Sequence, residues 1–250
     1  MSAPRLALVH GFTQTSRSWD GLIPLLRDRM SPLPEIVAVD APGHGDRHDL
    51  EVGLVDGALA IGAAAGRATY VGYSMGGRLC LHLALARPDL VEALVLIGAT
   101  AGIDDDAERA ARRIADEALA TEIEQVGVDV FLERWLALPL FAGLPRDRAS
   151  VDDRRRNTAA GLASSLRLAG TGAQEPLWDR LGDVRMPVLV LAGARDEKFS
   201  AIGRRIADRV DGATFATVEA AGHAAHLEQP ERTVDAIASW WVSLRARDRS

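Results

Sequence analysis

Six short apolar runs, separated by longer amphipathic stretches, leave this chain little choice of architecture. The runs lie at 6–9, 35–39, 68–71, 93–97, 187–191 and 213–218. Each is almost continuously apolar, as in strands covered on both faces. Helical patterns at 17–29, 75–86, 201–209 and 232–245 separate the runs or close the chain. Such alternation predicts a mainly parallel sheet flanked by helices and wound by right-handed crossovers. The rhythm breaks once. Between 103 and 173 there is no strand pattern; charged amphipathic segments at 104–125, 129–138 and 146–168 replace it, punctuated by Pro139 and Pro145. The expected organisation is an α/β core made of 1–102 and 174–250, with a helical lid at 103–173 inserted after the fourth strand. A chain of 250 residues is long enough to bury such a core as one domain.

Composition narrows the partners. The formal net charge of -6 argues against a nucleic-acid partner, which calls for a basic face. A single cysteine, Cys80, permits no intrachain disulfide and fits a reducing, cytoplasmic compartment. The apolar run at 6–9 is too short for a signal-peptide core, and no stretch reaches the roughly 18 apolar residues of a membrane span. The expected partner is a small molecule; oligomeric state is not legible.

Gly72-Tyr73-Ser74-Met75-Gly76 joins the end of the third strand to the start of a helix. A serine on so sharp a turn needs small residues on both sides, takes a strained backbone conformation, and projects its hydroxyl at the positive end of the helix. Read without chemistry, the pattern is a glycine-rich turn; its strand-before, helix-after context favours a nucleophile or proton acceptor. The Met75 N–H then faces any oxygen on the reacting carbon. A second donor is expected from the loop after the first strand, His10-Gly11-Phe12, as the Phe12 N–H, with His10 a buried prop. The loop Asp40-Ala41-Pro42-Gly43-His44-Gly45 is expected to support the site.

The order serine, acid, histidine places the base after the last strand, which favours His223 over its neighbour His226. Asp196, in the loop after the fifth strand, is the expected acid that fixes the imidazole tautomer. The rival acidic run, Asp104-Asp105-Asp106, reads as a solvated helix N-terminus. His223-x-x-His226 lacks a well-placed acidic ligand, so no metal is expected.

On these features the chain resembles a compact α/β-hydrolase fold throughout. It goes further. Gly72-Tyr73-Ser74-Met75-Gly76-Gly77-Arg78, the lid stretch 162–174 ending in Gly170-Thr171-Gly172-Ala173-Gln174, the turn Asp196-Glu197-Lys198-Phe199 and Ala221-Gly222-His223-Ala224-Ala225-His226-Leu227-Glu228-Gln229-Pro230 are together similar to the 2-succinyl-6-hydroxy-2,4-cyclohexadiene-1-carboxylate synthase family of menaquinone biosynthesis. The resemblance implies a cofactor-free elimination of pyruvate. Ser74, poised by His223, would take a proton beside a succinyl ketone, with the enolate oxygen held by the Phe12 and Met75 N–H groups. A tricarboxylate substrate calls for fixed cations. Arg78 lies one helical turn beyond Ser74. The resemblance carries binding roles to Arg112, to Arg154 within the ambiguous triple run Arg154-Arg155-Arg156, and to Lys198, the only lysine among 29 basic residues. Tyr73 and Trp135 are expected pocket walls. Two other readings stay open: a carboxylesterase or carbon–carbon-bond hydrolase using Ser74 covalently, and a non-catalytic ligand receptor on the same scaffold.

Overall fold

The computed structural model describes residues 4–247. Six parallel strands form one sheet in the order β2-β1-β3-β4-β5-β6: β1 Arg5–Val9, β2 Glu35–Val39, β3 Ala68–Tyr73, β4 Val91–Ile97, β5 Val188–Gly193 and β6 Thr214–Val218. The helices are α1 Ile23–Arg29, α2 Leu54–Ala65, α3 Met75–Ala86, α4 Asp106–Leu136, α5 Val151–Arg154, α6 Ala159–Ala169, α7 Glu197–Ala207, α8 Ala225–Glu228 and α9 Pro230–Arg247. Alternate strand residues feed opposite faces. Ala7 and Val9 join Leu54, Ile61, Leu79, Leu83 and Ile206 in one layer, under α2, α3 and α7. Leu6 and Leu8 join Trp19, Leu26, Val234, Ile237 and Trp241 in the other, under α1 and α9. The sheet's nearly unbroken apolar strands follow from this double cover.

The helical expectations are corrected at several points. The helix expected at 17–29 divides into a 3-10 turn, Ser16–Trp19, and α1, because Pro24 has no N–H to donate and so sits in the first turn of a new helix. The helix expected from 201 begins at Glu197, because the Asp196 carboxylate accepts the Phe199 N–H at 3.1 Å and caps it. α2 was not foreseen: its Leu-Val-Asp-Gly-Ala-Leu-Ala-Ile-Gly-Ala-Ala-Ala sequence carries one charge and little contrast between faces.

Between β4 and β5 the chain is helical. α4 has a break at Gly127, whose φ of 76° and ψ of 170° belong to neither half. The helical stretch expected at 146–168 divides into a 3-10 turn at Arg146–Arg148, α5 and α6, with left-handed Ser150 and the N-cap Thr158 at the breaks. α4 and α6 enclose their own apolar cluster, Ala120, Ile123, Phe131, Leu162, Ala163 and Leu166. Phe12 packs against this cluster as well as the sheet, so the first-strand loop joins the insertion to the core. No helix among the described residues is long and apolar enough to cross a membrane.

Candidate active site

β3 delivers Ser74 to the C-terminal edge of the sheet, where its N–H bonds the Ile97 carbonyl at 2.8 Å. Its φ of 50° and ψ of −109° depart from both the strand before and the helix after. The turn admits no side chains beside it. A Cβ at Gly72 would stand 2.5 Å from the Gly76 carbonyl oxygen, and one at Gly76 would stand 2.2 Å from that of Val9. Ser74 occupies the N-cap of α3, yet its hydroxyl caps no helical N–H. It lies 3.3 Å from His223 Nε2, and His223 Nδ1 lies 2.9 Å from Asp196 Oδ2. Burial acts to raise the Asp196 carboxyl, but hydrogen bonds from His223 and the Phe199 N–H and the nearby Lys198 outweigh it and hold it below the ordinary range. Asp196 therefore stays anionic, which fixes the Nδ1–H tautomer and leaves Nε2 free to accept a proton.

The loops around this line are held by neutral histidines. His10 is fully buried, accepts the Ala41 N–H at Nε2 (3.0 Å) and donates from Nδ1 to the Gly11 carbonyl (2.8 Å). His44 accepts the Thr13 N–H at Nε2 (3.3 Å) and donates from Nδ1 to the Pro42 carbonyl (2.9 Å), and burial pushes its pKa down to about 3. Asp40 accepts the Ser16 and Asp46 N–H groups at 2.6 and 2.9 Å, which ties the second-strand loop to the first. His226 is also fully buried, with its ring 4.2 Å from that of Tyr73, and neither nitrogen has a hydrogen-bond partner. His223 is thus the histidine brought to Ser74, and His226 packs behind it. Asp104 pairs with Arg205 and Asp106 with Arg109, far from any triad role. Among the described residues no group of three or more His, Cys, Asp or Glu side chains could hold a metal ion.

A cavity of about 200 Å³ opens over Ser74. Phe12, Tyr73, Met75, Arg78, Arg112, Trp135, Arg154 and Lys198 all line it, together with Ser74 and His223. Trp135 closes one wall, edge-on to Phe12 at 5.3 Å. Of the residues lining the cavity, four are cationic (Arg78, Arg112, Arg154, Lys198) and none is acidic. Two of the guanidiniums are buried: Arg78 is 6% exposed and Arg154 1%. Arg78 donates to the Ala169 carbonyl at 2.8 Å and to Gln174 Oε1 at 3.4 Å; Arg154 donates to the Ala149 carbonyl at 2.7 Å and to the Thr13 hydroxyl. Neither forms an ion pair among the described residues. Burial, with a neighbouring Arg112 in the first case, lowers each to about 10, so both remain charged at neutral pH. Arg155 and Arg156 turn outward, to Asp129 and Asp152 and to Asp46 respectively, so the triple run presents Arg154 alone to the cavity.

Two residues hold this cationic wall, Asp116, which the sequence did not single out, and Gln174, which it placed in the lid stretch without a role. Asp116, 2% exposed, accepts Arg112 Nε at 2.7 Å and the Gly172 N–H at 3.0 Å. Gln174 is buried against Arg78. The Gly170-Thr171-Gly172-Ala173-Gln174 stretch is therefore the strap that seats α4 beside α3. A helical carboxylate four residues after an arginine reads as a solvated i,i+4 pair, and only the incoming strap buries it.

A parallel sheet, a strained serine turn and a serine–histidine–aspartate line under a helical insertion define a catalytic member of the alpha/beta hydrolase family. Residues 6–236 match that family, and the chain belongs to it. A Bacillus subtilis (strain 168) protein, provisionally named 2-succinyl-6-hydroxy-2,4-cyclohexadiene-1-carboxylate synthase, is 34% identical over 94% of this chain and 89% of its own length. The Salmonella agona (strain SL483) protein of that name is 29% identical over 94% and 93%. The structure of MenH from S. aureus matches with a TM-score of 0.89 at 27% identity, covering 97% of this chain and 95% of that one. A hydrolase from Pseudomonas aeruginosa PA01 matches at 0.68. Within the alpha/beta hydrolases, this chain is a member of the 2-succinyl-6-hydroxy-2,4-cyclohexadiene-1-carboxylate synthase family, enzymes of menaquinone biosynthesis.

Proposed function

We propose that this enzyme eliminates pyruvate from 2-succinyl-5-enolpyruvyl-6-hydroxy-3-cyclohexene-1-carboxylate, giving 2-succinyl-6-hydroxy-2,4-cyclohexadiene-1-carboxylate. The observation that carries the reading is the cavity wall: two buried guanidiniums without carboxylate partners, with Arg112 and Lys198, around an activated serine. A buried charge without its counter-ion is costly, and an anionic ligand supplies the missing partner. A neutral ester asks for no such wall.

In this mechanism His223 Nε2 withdraws the Ser74 proton, and Ser74 Oγ takes the proton from ring carbon 2, next to the succinyl ketone. The negative charge moves to the ketone oxygen, which the Phe12 and Met75 N–H groups stabilise; the latter is one of the unpartnered donors at the start of α3. Collapse of this enolate forms the 2,3 and 4,5 double bonds from the original 3,4 bond and breaks the bond from ring carbon 5 to oxygen. Pyruvate leaves as its enolate and is protonated. Arg78, Arg112, Arg154 and Lys198 bind the three carboxylates, and Tyr73 and Trp135 wall the ring. The helical insertion acts as the lid, and residues 103–173 are its extent. The reaction needs neither a metal nor an organic cofactor, because fixed dipoles stabilise the developing charge. Its partner is a small tricarboxylate, and a cytoplasmic setting suits it.

Supplying the enolpyruvyl substrate to purified protein and following pyruvate tests this. Steady release above background is expected. No release, with brisk turnover of simple aryl esters, transfers the site to the esterase reading.

A further inference from the structure

Asp196 holds one nitrogen of His223, but the backbone that carries the ring is held by a different carboxylate. After β6 the chain runs through Ala221-Gly222-His223-Ala224 and into the single turn of α8, which ends at Glu228. The Glu228 side chain folds back under this loop. Its Oε2 accepts the Gly222 N–H at 2.7 Å and its Oε1 the Ala224 N–H at 3.1 Å, the backbone donors of the two residues that flank His223. Glu228 is 3% exposed, so both bonds are shielded from water. The insertion rests on the same residue, at its side chain and at its backbone. A Cβ at Gly143 would stand 2.3 Å from Glu228 Oε2, and Arg148 Nη1 donates to the Glu228 carbonyl at 3.2 Å.

We infer that Glu228 is the positioning residue of the His223 loop, and that the stretch between α4 and α5 seats on it. The inference rests on the reading of His223 as the base for Ser74. Glu228 touches neither Ser74 nor the cavity, so it acts only by placing the imidazole. A 3.3 Å contact from His223 to Ser74 leaves little slack, and a displacement of about 1 Å at such a site can cost up to about a hundredfold in rate.

Glu228→Gln keeps the shape but sets an amide N–H₂ against one of the two backbone donors. It is expected to lower kcat about tenfold with KM within about twofold of wild type, and to slow fluorophosphonate labelling of Ser74 in proportion. Gly143→Ala, which keeps the Glu228 carboxylate but displaces it by crowding from the insertion, is expected to give the same split. It also carries the test alone if Glu228→Gln does not fold. A merely structural role predicts a lower Tm with kcat and labelling rate at 25 °C unchanged in the folded variants. That result, or a loss confined to KM, overturns the inference. Wild-type protein that is neither labelled nor active would instead remove the base assignment of His223 beneath it.

Discussion

Ser74 stands where serine ordinarily stabilises a helix, at an N-cap, but its hydroxyl is turned to His223 and bonds no helical N–H. Ser74→Ala therefore removes chemistry and almost no capping. Turnover is expected to fall at least about a hundredfold while Tm stays within a few degrees, as read by kinetics and thermal unfolding on the same preparation. The buried arginines give a prediction of opposite signs. Arg78→Met retains volume and removes a desolvated charge with no ion-pair partner, so stability is expected to hold or rise. kcat/KM should fall by roughly 10- to 100-fold, the scale of a lost charge-assisted contact. A lower Tm with unchanged kcat/KM would return Arg78 to a structural role. At this scale the sequence was most legible where the chemistry is local. The Gly72-x-Ser74-x-Gly76 turn and the late Gly222-His223 pair carry their geometry in neighbouring residues. Asp116 and Glu228 did not declare themselves, because backbone groups from other segments make them buried acceptors.

Elements explain which parts of the site are rigid. The strands were legible from their apolar runs because both faces of the sheet are covered, and each observed strand lies within two residues of its run at either end. Helix ends were less so, since the missing N–H of Pro24 sets one and the single hydrogen bond of the Asp196 cap sets another. α2, rich in alanine, glycine and leucine, carries apolar residues such as Val55 and Leu59 on its exposed face as well as its buried one, so its sequence shows little contrast between faces. The Gly127 break in α4 is the element-scale feature with the clearest consequence. Its backbone conformation is open to glycine almost alone, and no atom lies within 4 Å of a Cβ placed there, so conformation and not space forbids a side chain. Phe131 and Trp135, which meet Phe12 at 6.4 and 5.3 Å, follow the break. Gly127→Ala is expected to cost about 1–3 kcal/mol in urea unfolding and to raise KM several-fold. Ser74 labelling should be untouched, because the core turn does not depend on α4. Slowed labelling would contradict this division.

The whole molecule should be acid-labile for a reason spread over the core. Burial pushes His44 and His226 down to about 3 and His82 to about 4. As pH falls below about 6.5 the unfolded chain takes up protons that the fold refuses, so stability is lost progressively toward about pH 3. Each such histidine adds a slope of about 1.4 kcal/mol per pH unit. Asp196 and Asp40, held below the ordinary carboxylate range, add a further loss at lower pH still, as the fall passes their folded-state values. His226→Phe should flatten the urea-stability slope between pH 6 and 5 by about one proton, since neither ring nitrogen has a partner to lose. An unchanged slope would remove His226 from this account.

Within the same molecule, a cationic cavity and a serine that takes a proton without bonding to carbon form the central claim. The most direct test mixes enzyme with the enolpyruvyl substrate and follows pyruvate from the first turnover, with intact-protein mass measured on quenched samples. Linear pyruvate release without a burst, no adduct on Ser74, and loss of release in Ser74→Ala are the predicted results. A covalent adduct on Ser74, or ester turnover with no pyruvate, would contradict it.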